Sequence, residues 1–221
     1  SQLSVLQAIR PPGKIIAGSA IFEGKDILKY DSDSREMRAI RGGKISIVFQ
    51  EPMSALNPVL SIRQQMVEML QLHLKMDAAA AKGRSIELLN MVGIPEPQTR
   101  IEAYPHQFSG GMRQRVMIAM AISCNPKMVI ADEPTTAVDV TTQAQLMQVM
   151  QDLVDCHDTA LVIVTHNLGV IARHAQRIYV MYAGRIVESG TVMEVFNEAC
   201  HPYTVGLLRC VPRLDESKDA R

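Results

Sequence analysis

Three short apolar runs in the chain are typical of buried β-strands. They cover residues 44–49 (KISIVF), 128–131 (MVIA) and 159–164 (TALVIV). Polar side chains stand at the end of each run, namely Gln50 after the first, Asp132 and Glu133 after the second, and His166 just beyond the third. The pattern therefore predicts three buried strands with functional groups at their carboxyl ends.

Most of the remaining chain shows the apolar spacing of helices or the turn signals of hairpins. Helices are predicted within residues 1–9, 31–41, 61–93, 113–122, 141–156 and 191–196. Inside 61–93, the alanine-rich residues 75–83 are expected to form a connection or a frayed turn. Further strands are predicted at 15–22, which precedes a hairpin turn at 23–26, and at 177–182 and 185–188.

Composition restricts the class of protein. A chain of 221 residues has the size of one domain, or of one domain with an inserted subdomain. Lys plus Arg and Asp plus Glu number 23 each, so no overall field favours a nucleic acid or an anionic membrane. Since no apolar run could span a bilayer and no signal-peptide pattern opens the chain, we expect a soluble protein. The four cysteines form no CxxC pair, which predicts neither a zinc site nor a disulfide framework.

Residues 104–139 read YPHQFSGGMRQRVMIAMAISCNPKMVIADEPTTAVD and contain a small-residue turn before a helix. Two adjacent glycines, Gly110 and Gly111, allow backbone N–H groups to approach a ligand closely, and Ser109 can cap the helix that follows. A helix N-terminus carries unpaired N–H donors and partial positive charge. The turn therefore suits a phosphate group.

The same stretch contains two adjacent carboxylates. Asp132 and Glu133 follow the apolar run 128–131, and Pro134 stops the strand. Carboxylates at the carboxyl end of a buried strand are well placed to hold Mg²⁺ and to orient a water molecule. A turn or a strand end of this kind is usually structural when it occurs alone. The combination at this spacing favours a functional site.

This combination resembles the signature motif, the Walker B motif and the D-loop of an ABC-type ATPase. The stretch YPHQFSGGMRQRVMIAMA is similar in particular to the subfamily of peptide importers (oligopeptide, dipeptide and nickel), as are residues 49–58 (FQEPMSALNP) and 201–208 (HPYTVGLL). The resemblance covers nearly the whole chain. It implies an α/β fold of the P-loop NTPase type, with a mostly parallel core sheet, a partial antiparallel β-layer and an inserted helical subdomain.

The resemblance also implies a division of the chain. Residues 59–117 would form the inserted helical subdomain with the signature motif, residues 118–200 the core with the Walker B motif, D-loop and H-loop, and residues 201–221 a C-terminal tail. In the family, the subdomain surface near the Q-loop receives the coupling helix of a membrane permease. Met66, Met69 and Leu72 are open to either a core-facing or a partner-facing interpretation.

Catalytic roles for four residues follow from the same resemblance. Glu133 is expected to polarise the attacking water, and His166, as the H-loop histidine, to contact the γ-phosphate and keep Glu133 and the water aligned. Gln50 is expected to contact Mg²⁺ and the water as the Q-loop residue. Asp132 is expected to hold Mg²⁺ directly or through a water molecule.

In this family the nucleotide lies between two paired subunits. Ser109, Gly110 and Gly111 would therefore bind the γ-phosphate of an ATP held mainly by the second subunit. Asp139 would link the two sites across the interface. Closure of the pair on ATP and its opening after hydrolysis would drive the permease.

One family motif is missing from the sequence. The phosphate loop G-x-x-x-x-G-K-[ST], whose N–H groups and lysine bind phosphates, occurs nowhere in the 221 residues. In the family it stands immediately before the helix that opens this chain. We therefore expect an N-terminally truncated ABC domain that lacks the loop and the strands before it, with Ser1, or alternatively Ser4, as the remnant of the loop's final Ser/Thr.

The resemblance finally implies ligands, partners and location. ATP and Mg²⁺ are the expected ligands, and permease subunits and a second ABC ATPase subunit the expected partners, on the cytoplasmic face of the cell membrane. We expect the chain alone to be a weak or inactive ATPase. A non-catalytic truncated module that docks a permease or partner subunit is the alternative. A DNA-repair or chromosome-type ABC ATPase is disfavoured by the neutral charge, the lack of long heptad repeats and the importer-like Q-loop.

Overall fold

The computed structural model describes residues 2–9, 11–50, 55–134, 140–156 and 158–210. The chain divides into two compact units, residues 1–164 and residues 165–221. The first unit contains α1 (Gln2–Val5), β1 (Ile21–Phe22), β2 (Lys25–Asp26), α2 (Arg35–Ile40), β3 (Ile45–Val48), α3 (Ile62–Leu74), α4 (Ala78–Met91), α5 (Pro97–Arg100), α6 (Gly110–Ile122), β4 (Met128–Asp132), α7 (Val140–Cys156) and β5 (Ala160–Val164). The second contains α8 (Leu168–His174), β6 (Arg177–Tyr182), β7 (Arg185–Thr191), α9 (Val192–Asn197) and α10 (Pro202–Arg209).

A parallel sheet of order β3-β4-β5 lies in the first unit. Its register pairs Val48 with Ala131 and Asp132 with Val164. Because parallel strands all end at the same edge of a sheet, this register brings the residues that follow β3 and β4 together. The sheet confirms the predicted α/β fold with a parallel core.

The main core cluster joins the sheet to helices α3, α4, α6 and α7. Its members include Met66 of α3, Leu88 of α4, Val116 of α6 and Val129 of β4, all of which are buried. Met66 therefore faces the core, whereas Leu72, six residues further along α3, is 61% exposed. Of the two interpretations of these residues, the structure assigns the core-facing one to Met66 and leaves Leu72 available to solvent.

Side-chain caps determine where α3 and α4 begin. Ser61 and Gln64 form a capping box at the start of α3, and Asp77 accepts hydrogen bonds from the N–H groups of Ala79 and Ala80 at the start of α4. Lys75 ends α3 in the left-handed conformation, with a φ of 57°. The prediction of a connection or frayed turn over residues 75–83 was therefore too long, because α4 begins at Ala78.

The predicted strand over residues 15–22 was largely wrong. Only Ile21–Phe22 forms a strand, and it pairs with Lys25–Asp26 across a turn in which Glu23 and Gly24 both have positive φ values. Such a turn matches the twist of a two-residue hairpin. Ile16 is 87% exposed. An apolar run forms a strand only where a neighbouring strand can pair with it, and the residue pattern does not reveal that neighbour.

The third apolar run, β5, is less buried than predicted. Val162 is 42% exposed and Val164 is 40% exposed. Within the part of the chain that the structure describes, β5 pairs with β4 alone and so lies at an edge of its sheet.

None of the helices among the described residues is long and apolar enough to cross a membrane.

The second unit is built on the antiparallel pair β6–β7, with an irregularity between Val180 and Met181. Ile178 of β6 and Val195 of α9 are buried, and Thr191 forms a capping box with Glu194 at the start of α9. The predicted strand pair is confirmed. β7 extends to Thr191, three residues beyond the predicted end.

A carboxylate ties β7 to the segment before α10. Glu188 accepts hydrogen bonds from the backbone N–H of Cys200 at 2.7 Å and of His201 at 3.3 Å. The Thr204 hydroxyl, which lies close but outside hydrogen-bond geometry, and these two N–H groups lower the pKa of Glu188 below its ordinary value of 4.5. The ionised form of Glu188 is therefore favoured in the folded state.

We expect the docking of α10 to depend on pH through Glu188. Since its pKa is lower in the folded chain, its contribution to stability is complete above pH 4.5 and is lost as the pH falls through the lowered value. Glu188→Gln should remove this dependence. Thermal unfolding midpoints of the wild type, Glu188→Gln and the exposed control Glu198→Gln between pH 3 and 7 would test it. A wild type and a Glu188→Gln variant with parallel pH profiles would contradict the prediction.

Candidate functional site

Gln50 and Glu133 meet at the carboxyl edge of the parallel sheet. The side-chain amide of Gln50 donates from Nε2 to Oε2 of Glu133 at 2.8 Å. The sheet register explains this contact, because Val48 pairs with Ala131 and each of the two polar residues follows two positions later. The structure thus joins two residues that are 83 positions apart in the sequence.

The backbone of Glu133 has an unusual conformation. Its φ of 45° lies in the left-handed region, which is uncommon for residues other than glycine, asparagine and aspartate. Its N–H donates to the carbonyl oxygen of Val164 at the end of β5, at 2.8 Å. The backbone contact and the Gln50 contact together hold the half-buried Glu133 at the carboxyl edge of the sheet. Strain of this kind is retained where a side chain must point in a particular direction.

Ser109 caps the helix as predicted, but α6 begins at Gly110, three residues before the predicted start at residue 113, so Gly110 and Gly111 form its first turn. Ser109 is the N-cap of the thirteen-residue helix α6, and its hydroxyl accepts a hydrogen bond from the N–H of Met112 at 3.3 Å. A Cβ atom added to Gly110 would meet no other atom within 4 Å. The backbone at Gly110 is therefore open on its side-chain face, which agrees with the close approach of a ligand to the start of α6.

Asp132 is the last residue of β4 and is half-buried. Among the described residues, no group of three or more His, Cys, Asp or Glu side chains is arranged to hold a metal ion. Mg²⁺ in nucleotide sites, however, is held by one or two protein oxygens together with phosphates and water. The Asp132 carboxylate and the Gln50 amide oxygen at one sheet edge are a donor set of this kind, so the residues present fit the ion.

The structure does not test the remaining predicted site residues. His166 is exposed and follows β5, but it belongs to the second unit, so its role beside Glu133 stays a prediction. Asn167, next to it, caps α8 by accepting from the N–H groups of Gly169 and Val170. Asp139 and Ser1 lie outside the described residues.

Sequence reasoning missed two supports of the site. One is the Val164 carbonyl that binds the N–H of Glu133, for which no residue pattern is a signal because any residue supplies a carbonyl. The other is Arg113, whose guanidinium donates to the carbonyl oxygen of Phe108 just before the glycine turn. A signal for Arg113 did exist, since a cation in the first turn of a helix opposes the helix dipole and needs an explanation.

Family models match most of this chain. A model described as "ABC transporter" matches residues 3–136. A second, described as "Oligopeptide/dipeptide transporter, C-terminal region", matches residues 187–221. The first match alone contains Gln50, Asp132, Glu133 and the glycine turn.

Individual relatives are similar over nearly the whole chain. The "Oligopeptide transport ATP-binding protein OppD" of Bacillus subtilis (strain 168) is 52% identical over 207 residues, which are 94% of this chain and 57% of that protein. The "Dipeptide transport ATP-binding protein DppD" of Haemophilus influenzae is 48% identical over 99% of this chain and 66% of that protein. The chain thus spans between half and two thirds of the length of these two relatives.

Solved structures share the fold. The ATP-binding cassette MJ0796, in a dimeric post-hydrolysis state bound to ADP and Pi, aligns with a TM-score of 0.71 and 29% identity. The alignment covers 80% of this chain and 74% of that one. Similarity at this level shows that the chain has the fold of an ATP-binding cassette.

Proposed function

The chain belongs to the ABC transporter family of ATP-binding subunits, and on that premise we propose that it is the ATP-hydrolysing subunit of an importer of peptides or related solutes. The family is one of ATPases, and the curated relatives are named for oligopeptide and dipeptide transport. The observation that supports catalysis most directly is the contact between Gln50 and Glu133 at the carboxyl edge of the sheet.

Glu133 is the proposed base or polarising group for the attacking water. Its left-handed backbone and its N–H bond to Val164 hold the carboxylate in one direction, and Gln50 occupies one of its two oxygens. The carboxylate would accept a proton or a hydrogen bond from a water aligned with the γ-phosphorus. Catalysis of phosphoryl transfer depends mainly on such positioning and on charge stabilisation. His166 would contact the γ-phosphate and help to align this water.

Asp132 and the Gln50 amide oxygen are the proposed protein donors for Mg²⁺. A bound Mg²⁺ neutralises phosphate charge during the transfer. Asp132 would contribute a carboxylate and Gln50 a neutral amide oxygen to the ion. On this assignment Glu133 acts on the water and not on the ion.

Nucleotide contacts are proposed to come from two subunits. The N–H groups at Ser109, Gly110 and Gly111 would bind the γ-phosphate of an ATP held mainly by a second ABC subunit, identical or different. Asp139 would link the two sites. The G-x-x-x-x-G-K-[ST] motif is not among the 221 residues, so these residues alone would bind ATP weakly. Ser1 is proposed as the residue nearest the phosphates on the family pattern.

The proposed partners are transmembrane permease subunits on the cytoplasmic face of the cell membrane. Residues 59–117 would form the helical subdomain that meets the permease, residues 118–200 the catalytic core and residues 201–221 a C-terminal tail. No contact with nucleic acid is proposed. The membrane would be reached only through the permease.

Reconstitution of the assembled transporter in vesicles tests this function. We expect peptide uptake that requires Mg-ATP enclosed within the vesicles, on the side of the ATP-binding subunits, and is accompanied by ATP hydrolysis. Titration of the 221-residue chain alone with Mg-ATP should show weak binding or none. Peptide uptake that continues without ATP would contradict the proposal. Permease binding without any ATP turnover would instead support a non-catalytic docking module.

A further inference from the structure

The guanidinium group of Arg113 binds the segment just before the Ser109-Gly110-Gly111 turn. Its Nη1 atom donates to the carbonyl oxygen of Phe108 at 2.8 Å and makes a longer contact with that of Pro105 at 3.4 Å. Phe108 is 3% exposed and belongs to the main core cluster. The segment just before the turn is thus held by the buried Phe108 side chain and by the hydrogen bonds from the Arg113 guanidinium.

This position for an arginine is costly for the fold. Arg113 lies in the first turn of α6, where the partial positive charge of the helix opposes a cation. Its Nε atom is also buried, and among the described residues it has no hydrogen-bond partner. A buried donor without a partner destabilises the folded chain. A contribution to fold stability therefore does not account for the presence of an arginine at position 113.

We propose that Arg113 is a positioning residue for the phosphate-binding turn. By holding the carbonyl groups of Pro105 and Phe108, it fixes the entry of the chain into α6 and hence the direction of the N–H groups at Gly110 and Gly111. Its charge adds to the positive potential at that helix end, which attracts phosphate. The inference rests on the proposed function of the turn in ATP hydrolysis.

Arg115 in the same helix provides a matched comparison. Its guanidinium donates to the carbonyl oxygen of Val92 at 2.7 Å and to Oε1 of Gln145 at 3.2 Å. These bonds connect α6 to the end of α4 and to α7. Both arginines belong to α6 and both donate to backbone carbonyl groups. Arg115, however, makes its bonds to residues outside the glycine turn and the segment before it.

The test compares Arg113→Gln, Arg113→Lys and Arg115→Gln in the assembled transporter. We expect Arg113→Gln to lower kcat for ATP about 10- to 100-fold. Without the Arg113 contacts, the N–H groups of Gly110 and Gly111 would be displaced from the γ-phosphate when the two subunits pair on ATP. Equilibrium binding of Mg-ATP should change little, since the turn closes on a nucleotide that is already held. Arg113→Lys should recover part of kcat because it keeps the charge. Arg115→Gln should lower the thermal midpoint while kcat of the folded protein stays near the wild-type value.

Three results would overturn the inference. A wild-type kcat in Arg113→Gln would do so while the proposed function stands. If Arg113→Gln and Arg115→Gln lost kcat equally, and in proportion to their loss of thermal stability, the role of Arg113 would be purely structural. A wild-type transporter that hydrolyses no ATP would contradict the proposed function, and the inference would fail with it.

Discussion

Glu133→Gln in the assembled transporter is expected to reduce ATP turnover by about two to four orders of magnitude, the usual contribution of a general base. Binding of Mg-ATP should persist, because the substituted amide keeps the size of the carboxylate. Its oxygen can still accept the hydrogen bond from Gln50, and its backbone can still donate to Val164. The variant therefore removes the basic oxygen and little else. Steady-state hydrolysis together with equilibrium ATP binding measures both effects.

Glu87→Gln is the control for this experiment. Glu87 lies on the surface of α4 in an ion pair with Arg84, and such pairs contribute little to stability. Turnover in that variant should match the wild type. If Glu133→Gln hydrolysed ATP at more than about a tenth of the wild-type rate, the expected range for a general base would not be met, and another group would have to activate the water.

The second large effect is expected for stability, from Leu88→Ala. Leu88 on α4 is fully buried and belongs to the cluster that contains Val116 of α6 and Val129 of β4. Truncation of a buried leucine leaves a cavity and costs about 2–5 kcal/mol of unfolding free energy. Whole domains are stable by only about 5–15 kcal/mol, so much of the folded state would be lost. Urea unfolding followed by circular dichroism measures the change.

Leu72→Ala is a matched control on the neighbouring helix α3. The substitution is the same, but Leu72 is 61% exposed, so the free energy of unfolding should change by no more than about 0.5 kcal/mol. Equal shifts of the urea midpoint in the two variants would contradict the assignment of Leu88 to the core and of Leu72 to the surface. A normal stability for Leu72→Ala combined with weaker permease binding would agree with a partner-facing role for Leu72.

Residue patterns succeeded where the signal was local. The helix starts at Ser61, Ser109 and Thr191 depend on a hydroxyl that reaches the N–H of a residue three positions away, and such spacing is visible in the sequence. The apolar runs that became β3 and β4 were equally clear, because strands buried on both faces are apolar throughout. The family resemblance depended on these local motifs as well.

Patterns failed where a partner distant in the sequence decided the outcome. Residues 15–20 have strand character but form no strand, and β5 is more exposed than its composition predicts. In both cases the deciding factor is which strand lies alongside. That neighbour is chosen by the tertiary fold and not by the residues of the segment.

The sequence by itself determined the chemical groups of this protein, which are a carboxylate pair after one strand, an amide after another and a glycine turn before a helix. Only the tertiary structure decided which of them meet. The parallel register placed Gln50 against Glu133, a left-handed backbone directed Glu133, and Arg113 came to bind the segment just before the turn. Local spacing fixes which side chains are available, whereas distances between them depend on strand order and register, which packing of the whole chain sets.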